Sequence, residues 1–289
     1  MKIGILTSDF RNHGALPADE LFAKIKNHGF EVAQLNLSAV KETEFTNTGQ
    51  FELPAKISDD VIGIINDASH KYGIPIIICN GTFNMAHPDA FVRDEGVKRF
   101  ELFAGVVKQL GCGMISLCSG TRCENHMWTY HEDNNTPEAW NDMIDAMKKV
   151  TEIAEKHDVI VLVETEASNI INTPEKARQM MDEINSPKLK MIMDCANLFH
   201  AGEAKKENVH RIVRHAFDVF GGDIIMAHGK DISESDGINF CPTGEGIIDF
   251  KQFGELLNKY NYKGDMLLHG IFDENKMAYG IETIKNFIL

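Results

Sequence analysis

The sequence lacks the patterns that mark several protein classes. Its six cysteines form no CxxC pair, which argues against a disulfide scaffold and against a structural zinc module. Apolar runs such as IPIIIC and IVLV are far shorter than the roughly 18 residues that a membrane-spanning helix needs. The first residues, MKIGILTSDF, lack the long apolar region of a secretory signal peptide. We therefore expect a cytoplasmic protein that does not enter membranes and whose thiols are reduced.

Positive charge is also scarce. The chain has 29 Lys and Arg residues against 43 Asp and Glu residues, a formal net charge of −14. This charge would repel nucleic acids and anionic membrane surfaces, and no local basic patch offsets it. The motifs GxxxxGK[ST], GxGxxG, HExxH and GxSxG are absent from the sequence. It therefore gives no support for a nucleotide-binding, zincin or serine-hydrolase site.

Short apolar runs alternate with amphipathic stretches along the whole chain, a pattern typical of a parallel sheet wrapped by helices. Eight pairs of strand and helix in 289 residues favour a closed barrel over an open doubly wound sheet. No linker or repeat indicates a second domain, so we predict one α/β domain over residues 1–289, a (β/α)₈ TIM barrel. The eight predicted strands begin at Ile3, Val32, Ile74, Met114, Val159, Leu189, Asp223 and Asp265.

The helix predicted between Ser58 and Gly73 has sequence signals at both of its ends. Ser58 is a suitable N-cap, and Gly73 is a suitable terminator. The apolar residues between them predict a buried face made of Val61, Ile64, Ile65 and Ala68.

Four consecutive predicted strands end on residue types that bind metals: Glu164, Asp194, His228 and His269. In a sheet buried on both faces, an ionised side chain at such a position needs a partner. The carboxyl ends of barrel strands meet at one rim, and two carboxylates with two imidazoles can form one divalent-metal site. Glu166 is an alternative to His269 as the fourth ligand.

Several other residues are candidates for substrate contacts at the same rim. His87 and Trp128 follow the third and fourth strands, and Lys230 follows His228. Ordinary loop packing and a solvated ion pair are the competing interpretations. Gly244 and Gly246 precede a predicted helix that starts at Asp249, so their amides could bind an anion.

The motifs VLVETE, MIMDCANLF, IIMAHGKD and PTGEGIIDF, in this order, resemble the xylose isomerase-like barrel superfamily, in particular its sugar phosphate isomerase/epimerase branch. The resemblance extends over nearly the whole chain. It implies a Mn²⁺, Mg²⁺, Co²⁺ or Zn²⁺ ion held by Glu164, Asp194, His228 and the residue at the end of strand eight. It also implies that a carboxylate, for which Glu164 is the candidate, moves a proton next to a carbonyl through an enediolate.

The chain departs from this branch at three positions. Epimerase relatives have a second glutamate at the end of strand eight, where this chain has His269. They have a histidine three residues after the strand-six aspartate, where this chain has Asn197, with His200 nearby. They also have an arginine six residues after the strand-seven histidine, where this chain has Glu234. Because His269 stands in place of the second glutamate, the resemblance gives less support for two-base epimerisation. The other two departures make Asn197, His200 and Lys230 the candidate substrate contacts.

We predict a metal-dependent isomerase or epimerase that acts on a small sugar or sugar phosphate. One alternative is a dehydratase in which Glu164 removes a proton and His269 acts as the general acid. Another is a barrel that binds a sugar without converting it. The sequence leaves open the sugar, the metal and whether the chain forms a homo-oligomer.

Overall fold

A computed structural model describes residues 1–10, 14–45 and 48–288, and its centre is a closed ring of eight parallel strands. These strands are β1 Ile3–Leu6, β2 Val32–Leu35, β3 Ile76–Asn80, β4 Met114–Leu117, β5 Ile160–Glu164, β6 Leu189–Asp194, β7 Ile224–Gly229 and β10 Met266–Leu268. Their order around the ring is β1-β10-β7-β6-β5-β4-β3-β2. A short antiparallel pair, β8 Asp231–Ile232 and β9 Phe240–Cys241, follows β7. The predicted barrel and its eight strands are confirmed.

One α-helix follows each barrel strand before the next one begins. The helices are α1 Ala18–Asn27, α2 Asp59–Tyr72, α3 Ala90–Val106, α4 Pro137–His157, α5 Pro174–Ile184, α6 Lys206–Phe220, α7 Phe250–Lys259 and α8 Met277–Phe287. None of the described helices is long and apolar enough to cross a membrane. All six cysteines are free thiols, and four of them are buried.

Helix α2 has the predicted ends but not the predicted face. The Ser58 side chain accepts a hydrogen bond from the Val61 amide, and the helix ends at Gly73, whose φ is +63°. Ile62 is buried instead, with Ile65 and Ala68, whereas Ile64 is 42% exposed. The prediction for Ile64 was wrong because several apolar residues occur at the start of this helix, and only the stripe through 62 and 65 meets the barrel.

The inside of the barrel has an apolar floor below a polar layer. Side chains alternate between the two faces of a strand, so every second residue points into the ring. The floor is a separate apolar cluster that contains Val32, Ile78, Leu162, Ile192, Met226 and Leu267. Two residues further along these strands come Gln34, Asn80, Glu164, Asp194, His228 and His269. The period of two therefore places these polar side chains in one layer at the carboxyl end of the barrel.

The loop after β8 is held by one buried carboxylate. Asp231 accepts hydrogen bonds from the amides of Gly244, Gly246 and Ile248 at 3.0 Å each, and from the Ile232 amide at 2.9 Å. Gly244 and Gly246 do present their amides to an anion, but that anion is the side chain of Asp231. The expectation of an external anion at these amides is therefore corrected.

Gly246→Ala should destabilise the protein strongly. A Cβ at residue 246 would lie 2.2 Å from Asp231 Oδ1 and 2.4 Å from the carbonyl oxygen of Ile232, so the loop would have to shift and lose hydrogen bonds. We expect the free energy of unfolding to fall by about 2–4 kcal/mol. Denaturant titration measures the change. The matched control is Gly222→Ala, where an added Cβ meets no atom within 4 Å. Equal effects of both substitutions would contradict this account.

Candidate metal centre

Three of the four predicted ligand residues converge at the carboxyl end of the barrel. Glu164 ends β5, Asp194 ends β6 and His228 lies near the end of β7, and all three are buried. The Nδ1 atom of His228 is 3.5 Å from Glu164 Oε2 and 3.7 Å from Asp194 Oδ2. Three neighbouring strands of the ring therefore bring two carboxylates and one imidazole to a single point.

Two of the converging atoms are buried without a hydrogen bond. Asp194 Oδ2 and His228 Nδ1 have no hydrogen-bond partner among the residues that the structure describes. Unsatisfied buried polar atoms are costly and rare in folded proteins. Ligand atoms about 2.0–2.2 Å from a central cation lie about 3–3.5 Å from one another, close to the separations found here. The donor set therefore fits a divalent metal ion.

His228 is oriented by residues on the opposite side of the ring. Its Nε2 atom is 2.9 Å from Gln34 Oε1, and the Nε2 amide group of Gln34 donates to Ser116 Oγ at 3.1 Å. Because the Gln34 amide donates to Ser116, its oxygen is the atom that faces His228 and accepts from it. In neutral His228, the form that binds a metal, the Nδ1 lone pair then faces the point at which the two carboxylates converge. Such outer partners fix the tautomer of a metal-binding histidine.

The two carboxylates are also fixed by hydrogen bonds on the side away from His228. Asp194 Oδ1 accepts from the backbone amides of Ala196 at 2.9 Å and Asn197 at 3.4 Å. Glu164 Oε1 accepts from the Asn197 side-chain amide at 2.6 Å. Each carboxylate therefore keeps its second oxygen directed at the centre.

Lys230 connects this centre to the cavity above it. Its ammonium group donates to Asn197 Oδ1 at 2.7 Å and lies 3.9 Å from Asp194 Oδ2. It also lies 3.5 Å from the centre of the Phe240 ring. Lys230 is buried, so its charge partly balances the two carboxylates, and the solvated ion pair considered from the sequence is wrong.

The charged groups of the centre shift one another's pKa values. Burial alone would lower the pKa of His228, but the negative charges of Glu164 and Asp194 raise it from 6.5 to about 9. Burial likewise opposes ionisation of Asp194, yet Lys230 and His228 hold its pKa well below the ordinary value. The two carboxylates thus favour a positive charge at this point, which either protonated His228 or a bound cation can supply.

Metal binding should therefore release a proton. His228 must be neutral to bind a cation, so below pH about 9 we expect release of about one proton, with affinity rising about tenfold per pH unit. Calorimetric titration with Mn²⁺ between pH about 6.5 and 8, in buffers of different ionisation enthalpy, measures both quantities. Binding that depends on neither pH nor buffer would contradict protonation of His228 in the metal-free state.

His269, the fourth predicted ligand, contacts Asp9 and is not part of the group formed by the other three. Its Nδ1 atom is 3.3 Å from Asp9 Oδ1, and its ring centre is 5.8 Å from that of His228. Asp9 is fully buried, and its Oδ2 accepts from the Ile271 amide at 2.8 Å. Among the described residues, the group whose ligand atoms lie within 4.8 Å of one another contains Glu164, Asp194 and His228 only. Metal binding by His269 stays a prediction.

A cavity of about 320 Å³ opens above the centre. Of the predicted substrate contacts, Trp128, Asn197 and Lys230 line it, and so does Glu166. Burial raises the pKa of Glu166, and its carboxylate accepts from the Ser168 amide at 3.4 Å. This volume is at the lower end of the range for small-molecule sites.

Two predicted substrate contacts, His87 and His200, are outside the described lining of this cavity. The His87 ring accepts from the Asp89 amide at 3.1 Å, which is the loop packing considered as an alternative. His200 Nε2 is 2.9 Å from the carbonyl oxygen of Asn172. Both histidines therefore stabilise loops beside the site.

Several residues that line the cavity or support the site were missed in the sequence, and Gln34, Asp9 and Glu52 are three of them. Gln34 interrupts the apolar pattern of β2 in VAQLNL, a signal that could have been used. Asp9 and Glu52 lie outside the barrel strands, where no periodicity indicates the direction of a side chain. Glu52 is buried and lines the cavity.

Comparisons with known proteins agree with this architecture. The family model for the xylose isomerase-like TIM barrel matches residues 22–287. An inosose dehydratase from Glaesserella parasuis serovar 5 (strain SH0165) is 26% identical over 235 residues, which cover 75% of this chain and 78% of that protein. L-ribulose-5-phosphate 3-epimerase UlaE from Escherichia coli (strain ATCC 8739) is 25% identical over 258 residues, covering 88% and 84%.

Solved structures show the same fold. A D-tagatose 3-epimerase-like protein superposes with a TM-score of 0.74 at 18% identity, covering 100% of this chain and 98% of the other. The IOLI protein with a bound zinc atom superposes with a TM-score of 0.72 at 15% identity, covering 99% and 96%. The relatives thus include both epimerases and dehydratases.

Proposed function

The chain belongs to the xylose isomerase-like TIM barrel family, and from this premise we propose that it is a metal-dependent isomerase or epimerase of a small sugar. The observation that supports this proposal is the convergence of Glu164, Asp194 and His228, with buried unpartnered atoms, at the floor of the cavity. Mn²⁺ suits a set of two carboxylates and one imidazole, and Zn²⁺, Co²⁺ and Mg²⁺ are the other candidates.

When bound, a divalent ion supplies positive charge that polarises a carbonyl oxygen and stabilises the negative charge that develops on it. In our proposal, Glu164 removes the proton from the carbon next to that carbonyl. Asn197 holds the Glu164 carboxylate through a 2.6 Å hydrogen bond, and Lys230 holds Asn197 in turn. The position to which the proton returns decides between isomerisation and epimerisation.

A second candidate function is dehydration of a polyhydroxylated ketone. It is favoured by His269, which takes the place of the second carboxylate of epimerases and is paired with the buried Asp9. With Nδ1 held by Asp9, the imidazole can donate a proton from Nε2 to a leaving hydroxyl group. The same initial proton removal by Glu164 would then end in loss of water. The inosose dehydratase relatives support this candidate as well as the epimerase relatives support the first one.

Proton exchange with the solvent distinguishes these functions. The Mn²⁺-loaded protein would be incubated in D₂O with ketopentoses, ketohexoses, their phosphates and inososes, and the products followed by NMR. Deuterium beside the carbonyl with an isomeric product supports isomerisation or epimerisation, and loss of water supports dehydration. Sugar binding without exchange would support a non-catalytic barrel. Absence of any metal-dependent reaction across this panel would reject the proposed enzyme.

A further inference from the structure

The barrel has a third layer of inward-facing side chains, which lies above the apolar floor and the metal ligands. On and after β5, Leu162, Glu164 and Glu166 follow one another at steps of two residues. Leu162 belongs to the floor, and Glu164 belongs to the metal centre. The period of two therefore directs Glu166 into the ring one layer further out, and Glu166 does line the cavity.

The backbone that carries Glu166 is fixed by hydrogen bonds. The Glu166 amide donates to the carbonyl oxygen of Ile171 at 3.1 Å, and the Glu166 carbonyl oxygen accepts from the Asn169 amide at 2.9 Å. This turn is attached to the loop after β4, because the Ile171 amide donates to Ser119 Oγ at 2.8 Å. Glu166 is therefore presented to the cavity from a backbone that is held at several points.

The carboxylate of Glu166 has only weak partners among residues 1–10, 14–45 and 48–288. Its Oε1 atom accepts from the Ser168 amide at 3.4 Å and from the Ser168 hydroxyl group at 3.3 Å, and both contacts are longer than ordinary hydrogen bonds. Its Oε2 atom accepts no hydrogen bond from this part of the chain. A carboxylate offers about four acceptor positions, so Glu166 can accept further hydrogen bonds from a ligand in the cavity.

Two other roles for Glu166 can be distinguished from ligand binding. As a fourth metal ligand, it would have to join the converging atoms, which within the described parts of the chain belong to Glu164, Asp194 and His228. As a support for its own loop, it would depend on the two long contacts to Ser168. A hydroxyl group of a ligand, by contrast, donates a short and strong hydrogen bond to a carboxylate. The position of Glu166 on the cavity wall favours this third role.

We propose that Glu166 is a specificity-determining residue that accepts a hydrogen bond from a substrate hydroxyl group remote from the reacting carbonyl. This inference rests on the proposed function, since it assigns a further part of the same substrate. The carbonyl end of the substrate lies at the metal centre, and its chain or ring extends outward past Glu166. The substrate is then a polyhydroxylated compound that has a free hydroxyl group at this position.

The first test uses the wild-type protein loaded with Mn²⁺ and does not depend on the folding of any variant. Calorimetry would be run with D-fructose, D-tagatose and an inosose, each beside analogues that lack one hydroxyl group remote from the carbonyl. We expect at least one parent compound to bind, and one of its deoxy analogues to bind about 10-fold or more weakly. Failure of all three parents to bind, or equal binding of all analogues, would overturn the inference.

The second test combines changes in the ligand and in Glu166. Glu166→Ala should weaken binding of the parent compound by about 10–100-fold, because a hydrogen bond to a charged group is lost. In this variant the parent and the weakly bound deoxy analogue should differ by no more than about twofold, since the group that recognises the hydroxyl is absent. Glu101→Ala, at an exposed ion pair with Lys156, is the matched control and should keep the full difference. A full difference in Glu166→Ala would contradict the inference.

Metal affinity distinguishes hydroxyl binding from the other two roles of Glu166. Affinity for Mn²⁺ in the absence of sugar should stay within about twofold in Glu166→Ala, which also verifies that the variant is folded. Glu166→Gln keeps the volume of the side chain and an oxygen for Ser168, so it serves as the test if the alanine variant does not fold. It should bind the parent compound about 10-fold more weakly. A loss of Mn²⁺ affinity above about 10-fold in Glu166→Gln would make Glu166 a metal ligand and overturn the inference.

The proposed function is tested separately by deuterium exchange. If Glu166 controls the preference for the hydroxyl group but no deuterium enters the ligand in D₂O, the subsite stands and the enzymatic proposal fails. If deuterium enters the ligand but Glu166→Ala changes neither affinity nor preference, the enzymatic proposal stands and this inference is wrong.

Discussion

Replacing Glu164 with glutamine should reduce turnover by about 10³-fold or more while the fold is retained. The substitution removes the proposed base and one anionic ligand. A glutamine oxygen can still accept the hydrogen bond from Asn197, which now reaches Glu164 Oε1 at 2.6 Å. Shape and internal hydrogen bonding are thus preserved. Solvent-deuterium exchange into the substrate measures the loss, and circular dichroism measures the fold.

Glu166→Gln is the matched comparison, because Glu166 lines the same cavity two residues along the chain. Glu166 is absent from the group of converging ligand atoms among the described residues, so we expect its loss to reduce turnover much less. If Glu166→Gln abolished exchange and Glu164→Gln did not, the assignment of the base would be reversed.

Asp194→Asn should abolish tight metal binding. Asp194 is fully buried, and its Oδ2 has no hydrogen-bond partner among the described residues. An amide group can keep the contact to the Ala196 backbone through its oxygen, but it removes the negative charge and directs an N–H group at the cation. We expect affinity for Mn²⁺ to fall by more than about 100-fold, since even outer contacts of metal ligands contribute ~10–100-fold.

The control for this substitution is Asp218→Asn, at a surface contact with Tyr260 and Lys259. It should leave metal affinity unchanged, and calorimetry with Mn²⁺ measures both variants. Retained affinity in Asp194→Asn would place the cation away from β6, and the arrangement proposed for Glu164 and His228 would then have to be revised.

The barrel and the three converging residues could be predicted from the sequence for one physical reason. Strands buried on both faces are apolar, so Glu164, Asp194 and His228 stand out where they end such runs. The position of a residue in a strand also fixes the direction of its side chain, because alternate side chains point into the ring. Gln34 obeys the same rule in the middle of a strand and could have been identified.

Residues on loops were not predictable in the same way. His87 and His200 were placed near the site by their positions after strands, yet His87 contacts its own loop and His200 contacts Asn172 on the loop after β5. Glu52 reaches the cavity only because its segment pairs with the loop after β3, a contact between residues about 30 positions apart. The pairing of His269 with Asp9 similarly joins the two ends of the chain. Such contacts depend on tertiary structure that no local pattern encodes.

The central claim is that one cation binds between three strand ends, and anomalous diffraction from crystals grown with Mn²⁺ tests it most directly. The account predicts a single strong peak within about 2.0–2.3 Å of Glu164 Oε2, Asp194 Oδ2 and His228 Nδ1. A crystal with no ion among these atoms, or with its ion bound elsewhere, would contradict it.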